Sequence, residues 1–413
     1  MMFVHINIHK AQNIKYARRV VDTLSSSGMH GRGYVLEGAK IAAGYIGVEF
    51  QKFGLKTFDG GYFQSFDIET NRFPGQVLLK INKVLMRPGV DYLIEAGSGG
   101  GTVHYKTLTL PRVIAEDDRK MQDFLEANRN NVFVINLDSI SEERFQYFIK
   151  TIRLTENYPM GVIKIQKKKL TWDVAQTALP FPIFEVMDSV LTLPIKEVEF
   201  EIENTGVART ESSNVCGFVK GTRYPDSMVV FTAHYDHLGM MGKDTYFPGA
   251  NDNASGVAML LNLVQYYSDL RHRPDYTMVF LAFAGEEVGL LGSKYFTENP
   301  LFPLKKIRFL VNMDLLGTGE DGLMAVNGVE FPKEYNILDS INNEKHYLVR
   351  LQKRPKAANS DQYFFTEAGV KCFFIYTLGG IAAYHDVFDR PETLPLTKFE
   401  DIFRLLTEFV GKL

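Results

Sequence analysis

Cysteine, tryptophan, long apolar runs and excess charge are all scarce in this chain. Of its 413 residues only Cys216 and Cys372 are cysteines, which excludes a disulfide-stapled scaffold. The compartment stays open, because large exported enzymes can do without disulfides. No apolar stretch approaches the roughly 18–20 residues needed to span a bilayer, so no membrane span is expected. The 46 Lys+Arg against 49 Asp+Glu leave a net charge of −3. That balance gives no electrostatic footprint for nucleic acid. Disorder is excluded as well, since 45% of the residues are hydrophobic and 23% charged. The run from Met1 to Lys10 is too broken by His and Lys for a signal h-region. Ala11-Gln12-Asn13, directly before a helix, is compatible with the remnant of a cleavage site.

Familiar catalytic signatures are missing too. There is no G-x-S-x-G nucleophile elbow and no H-E-x-x-H helix. Gly97-Ser98-Gly99-Gly100-Gly101 is not followed by a helical pattern, so it reads as a turn and not as a phosphate cradle. The basic run from Lys164 to Lys169 reads as a solvated hairpin end.

What is present is a change of rhythm along the chain. Ile14, Ala17, Val21 and Leu24 form one helical stripe, and Leu36, Ala39, Ala43, Ile46, Phe50 and Phe53 a second. Residues 79–191 read as a β-rich insert, with helices over 117–128 and 141–152. Residues 1–78 and 192–413 then form the main domain. After residue 192 the apolar runs Met228–Phe231, Met278–Phe283, Phe309–Val311 and Cys372–Tyr376 are short and continuous, as buried parallel strands are. Helical stripes lie between them, and Thr397-x-x-Glu400 marks a capping box before the last one. This alternation predicts an α/β fold: three layers, a mixed and mainly parallel sheet with helices on both faces, plus the smaller insert.

The chemistry-bearing residues fall where those strands end. His234-Tyr235-Asp236-His237 follows the first apolar run. Asp252 stands in the loop before a helix, Glu286-Glu287 follow the second run, Asp314 the third, and Tyr384-His385 come after the fourth. Ligands of open α/β sheets bind outside the carboxyl ends of the strands. Taken singly, each residue has a bland reading: packed histidines, a helix cap, a solvated acid, a strand-end turn. Gathered at one edge, the acids would repel one another and rise in pKa. A divalent cation relieves that repulsion, and mixed imidazole and carboxylate ligands point to zinc, with cobalt or manganese as substitutes. Five ligands with one shared carboxylate can build two three-ligand sites. Of the pair Glu286-Glu287, one acid is expected on metal and the other on proton transfer.

These residues resemble the co-catalytic dizinc aminopeptidases, whose relatives include glutamate carboxypeptidase and glutaminyl cyclase. The motifs are Ala233–His237, Gly249–Gly256, Gly285–Ser293, Asn312-Met313-Asp314-x-x-Gly317, Ser360-Asp361 and Tyr384-His385, in family order over residues 200–413. The resemblance implies His234 and Asp314 on one zinc, Glu287 and His385 on the other, and Asp252 bridging them. It also implies Asp236 orienting His234, Glu286 as general base, and Tyr384 stabilising the oxyanion. The expected reaction is removal of N-terminal residues from peptides by water activated between two zinc ions. A cyclase or carboxypeptidase on the same scaffold, and a silent binding module, are the alternatives. By the same resemblance the insert is protease-associated-like and the protein exported. Asp386-Val387-Phe388-Asp389-Arg390 departs from the commoner small polar sequence after the histidine.

Overall fold

The computed structural model describes residues 13–58, 60–156 and 158–413. The N-terminal readings at Met1–Lys10 and at Ala11-Gln12 lie outside them. Among the described residues two eight-stranded sheets organise the chain. The first runs, edge to edge, through Phe63–Arg72, Gly206–Val219, Tyr276–Phe283, Tyr224–His234, Ile307–Met313, Cys372–Leu378, Gly322–Val326 and Leu351–Arg354. Its four central members pair in parallel, with His234 level with Phe283, Thr232 with Asn312 and Met313 with Ile375. These are the four apolar runs of the sequence. Their register brings the carboxyl ends to one line.

Both faces of this sheet are covered. Val229, Phe231, Phe280 and Val311 pack on one side against Val20, Ile46, Leu260 and Phe403 from helices Ile14–Leu24, Gly38–Lys52, Gly256–Ser268 and Phe399–Lys412. Val230, Val279, Leu281 and Leu310 pack on the other against Phe296 and Phe365. The alternation along each strand sends neighbours to opposite cores. Helix Gly256–Ser268 is buried from Gly256 through Val264. Each fully buried Leu or Val there contributes about 1.5–3 kcal/mol, so Leu260→Asp would break the layer. Cys216 and Cys372 are free and buried.

The second sheet uses strands from Val77–Ile81 to Glu197–Ile202. Its helices Asp118–Asn128 and Glu142–Thr155 fall where the periodicity places them. Two local expectations fail. The Thr397 capping box does not form: the last helix begins at Phe399, and the Thr397 hydroxyl donates instead to the Glu320 carboxylate at 2.6 Å. A charged acceptor makes the stronger bond. The basic run is solvated at Lys167–Lys169 but ends no hairpin, since its strand pairs in parallel with Ile183–Met187. Lys164 lies in strand Gly161–Gln166 with its side chain 7% exposed, paired with Glu185 and Glu95, which offset the cost of burying it. Lys169 turns back toward the first sheet.

Candidate metal centre

His234 closes the strand Tyr224–His234, and Asp314 follows the strand Ile307–Met313 directly. The Asp252 loop is tied between them. Asn253 donates to the Met313 carbonyl at 3.0 Å and accepts from the Gly256 N–H at 2.9 Å, while Ser255 accepts from Leu316 N–H at 2.8 Å. Gly249 opens this loop at φ 58°, where a Cβ would sit 2.2 Å from the Asp252 carbonyl and 2.6 Å from the Arg32 guanidinium. Only glycine fits there.

The ligand atoms form two sets. His234 Nε2 lies 3.4 Å from Asp252 Oδ1 and 3.5 Å from Asp314 Oδ2. His385 Nε2 lies 3.2 Å from Asp252 Oδ2 and 3.2 Å from Glu287 Oε2. Ligands held 2.0–2.2 Å from a tetrahedral zinc lie about 3.3 Å from one another. Each set therefore has the edge lengths of a zinc site, and the two carboxylate oxygens of Asp252 face different sets. His234 Nε2 and Asp314 Oδ1 are buried with no hydrogen-bond partner, as atoms meant for a cation are. The residues present fit two divalent ions.

Burial opposes a charge on His385, yet Glu287 and Asp252 raise it to about 11. Burial likewise opposes charge on His234, but Glu286 and Asp314 push its pKa up. The adjacent glutamates are pushed apart. Burial, aided by Glu287 and Asp361, raises Glu286 well above the usual carboxylate range. Burial works against Glu287 as well, but His385 and hydrogen bonds from His237 and His385 take it well below that range.

Asp236 holds His234 differently from expectation. The His234 Nδ1 bonds to the Asp236 backbone carbonyl at 3.2 Å, while the carboxylate Oδ1 lies 3.8 Å away. That carboxylate accepts instead from the Glu286 N–H and from the Tyr34 hydroxyl, both at 3.2 Å. It therefore fixes the Glu286 loop. Burial lifts its pKa to about 6. Tyr384 is half exposed and stacks flat on His385, ring centroids 4.0 Å apart.

Three residues assigned no role from the sequence complete the centre. His237, fully buried, places Nδ1 2.7 Å from Glu287 Oε1. That is hydrogen-bond distance, and His237, Asp252 and Glu287 also lie close enough together to hold a metal ion. Asp389 accepts from the backbone N–H of Asn251 and of Asp252, and burial raises it to about 7. The departure after His385 thus supplies a clamp on the Asp252 loop. Arg32, also fully buried, donates to the carbonyls of Tyr235, Leu24, Pro248, Gly249 and Asp252. Burial lowers it to about 10 against the pull of Asp252, so it stays charged at neutral pH.

Replacing His237 by Ala removes the partner of one Glu287 oxygen. The expected result is about 10–100-fold weaker zinc at the His385 position, with the His234 position unchanged, measured by titration against a chromophoric chelator. Unchanged affinity at both would reduce the ring to packing.

The model of peptidase family M28 matches residues 214–410, the span that holds both ligand sets. Aminopeptidase YwaD of Bacillus subtilis is 24% identical over 313 residues, covering 74% of this chain and 65% of that protein. A probable zinc metalloprotease of Pyricularia oryzae is 38% identical over 114 residues, 27% of this chain and 22% of that protein. The chain thus spans less than two thirds of the length of these curated relatives. A solved zinc aminopeptidase from Bacillus subtilis shares the fold at TM-score 0.69 and 19% identity, over 96% of this chain and 94% of that one. The matched segment includes His237 and Asp389, whereas Arg32 lies outside it.

Proposed function

We propose that this chain is a zinc-dependent aminopeptidase that removes N-terminal residues from peptides with a pair of zinc ions. The observation carrying the proposal is the two ligand sets that share Asp252 through its two oxygens. The names of the relatives, an aminopeptidase and a zinc metalloprotease, support the same reading. It assigns His234 and Asp314 to one ion and Glu287 and His385 to the other. Bound metal would polarise the scissile carbonyl and lower the pKa of a water beside it. Glu286 takes the proton of the attacking water and returns it to the leaving amine. Its raised proton affinity suits that task, and Glu287 beside it stays an anion. Asp236 keeps the Glu286 main chain in place. Tyr384 offers its hydroxyl to the developing oxyanion from the open side of the site. The same proposal places a protease-associated-type insert at residues 79–191 and the protein in an exported setting, on the support of the family resemblance. Among the described residues no helix is long and apolar enough to cross a membrane.

The test is a mass-spectrometric digest of peptides with free and with acetylated N-termini, using zinc-loaded and chelated protein. The expected result is stepwise loss of single residues from free N-termini only, abolished by the chelator. Cleavage of neither set by fully metallated protein would overturn the assignment. A one-zinc stoichiometry with pyroglutamate formation would move it to the cyclase chemistry.

A further inference from the structure

His385 is the last ligand candidate in the chain, and it sits on a loop, not at a strand end. Its backbone lies in the left-handed region at φ 52°, uncommon for a residue other than glycine, and its surroundings hold it there. Those surroundings come from the segment joining strands Gly161–Gln166 and Ile183–Met187 of the second sheet. Trp172 N–H donates to the His385 carbonyl at 2.8 Å, and His385 Nδ1 donates to the Trp172 carbonyl at 2.9 Å. A carbonyl only accepts, so Nδ1 carries a proton in this bond and the ring turns Nε2 toward Asp252 and Glu287. Lys169 Nζ donates to the carbonyls of Ala382 and Tyr384 at 2.7 and 3.0 Å and pairs with Asp386. The loop is therefore pinned on both sides of His385.

The segment is itself anchored. The Trp172 indole donates to the Ile94 carbonyl at 2.7 Å and stacks on Phe247, centroids 4.6 Å apart, just before the Asp252 loop. Gln176 donates to the Val288 carbonyl, next to Glu287. No comparable contact from the second sheet reaches His234 or Asp314 among the hydrogen bonds of the described residues. His234 is oriented by its own strand end, through the Asp236 carbonyl.

We propose that the 169–176 strap is a positioning element for the second metal position, so that the second sheet sets the affinity of one ion and leaves the other alone. This rests on the reading of His385 as a metal ligand. Acceptors that hold a metal-bound histidine are worth about 10–100-fold in metal affinity. The two positions then fill unequally, and the His385 position responds to any change in how the second sheet sits on the strap. Lys169 and Trp172 act through His385 and touch no reacting atom.

The experiment is zinc titration of the whole chain against a chromophoric chelator, with metal content read by mass spectrometry. The proteins are the natural chain, His385→Ala, Lys169→Met, Lys169→Arg and Trp172→Ala. Two zinc ions in the natural chain and one in His385→Ala establish the ligand reading. A single ion in the natural chain, or two in His385→Ala, defeats that reading first and the strap with it. Given the ligand reading, Lys169→Met is expected to weaken one ion about tenfold and leave the other within twofold. Lys169→Arg, which keeps the cation and its donors, is expected to recover most of the loss. Trp172→Ala is expected to weaken the same ion further. If that variant does not fold, Lys169→Met decides alone. Two affinities unchanged in Lys169→Met, or both weakened equally, would overturn the proposal.

Discussion

Glu286→Gln is expected to lower kcat about 10³–10⁴-fold on an aminoacyl anilide while both zinc ions stay bound. The magnitude is the upper part of what positioned general bases contribute. Gln keeps the shape of Glu and the backbone N–H bond to Asp236, so the loop stays in place. It cannot take a proton. The neighbouring Glu287→Gln gives the contrast: it breaks a contact with His237 at 2.7 Å and one with His385 at 3.2 Å. That variant is expected to lose a metal ion before it loses chemistry. Stopped-assay kcat together with metal content separates the two. Turnover of Glu286→Gln above one tenth of the natural rate would remove Glu286 from the mechanism.

The second large effect is on stability. Arg32→Met is expected to cost about 3–5 kcal/mol, the range for removing one partner from a buried charged network. The methionine fills the space but strands the carbonyls of Tyr235, Leu24, Pro248, Gly249 and Asp252. It also removes the positive charge lying under Asp252, Asp389, Asp236 and Glu287. Bound zinc compensates part of that charge, so the loss is expected to be larger in chelated protein than in loaded protein. Guanidinium unfolding of both forms, followed by circular dichroism, reads it. Lysine at this position is not expected to rescue, because an ammonium has three donors where the guanidinium uses a fixed fork. A loss below 1 kcal/mol in the chelated form would show that the carbonyls find other partners.

The sequence reading reached the sheet through a simple physical fact. Strands buried on both faces have no polar side, so Met278–Phe283 and Phe309–Val311 stand out as unbroken apolar runs. The side chains that break such runs lie at their ends, and the structure gathers His234, Asp252, Glu287, Asp314 and His385 there. The rest was hidden for reasons of the same kind. Arg32 sits in the glycine-punctuated segment Gly28–Gly33, which carries no periodicity, and its partners are main-chain carbonyls that no residue type announces. His237 is one residue from Asp236 and was absorbed into a motif. Its role depends on a contact across to Glu287 that spacing does not reveal. Asp389 acts on backbone N–H groups far away in sequence. Lys164 and Lys169 look alike in the chain, yet one is paired inside a strand and the other grips the His385 loop. Thr397 shows the converse, a local capping signal overruled by a tertiary acceptor.

The strand order has a consequence for how the protein is made. Cys372–Leu378 lies inside the first sheet, between Ile307–Met313 and Gly322–Val326, although it is the last strand synthesised. A nascent chain emerging from the ribosome holds an open slot at that place, and His385 follows only after the slot is filled. Pairings between such distant segments form slowly, because the intervening chain must close on itself before any contact rewards it. His385 therefore joins His234, Asp252 and Asp314 only after that last strand has paired, and a half-made chain carries those three side chains without it.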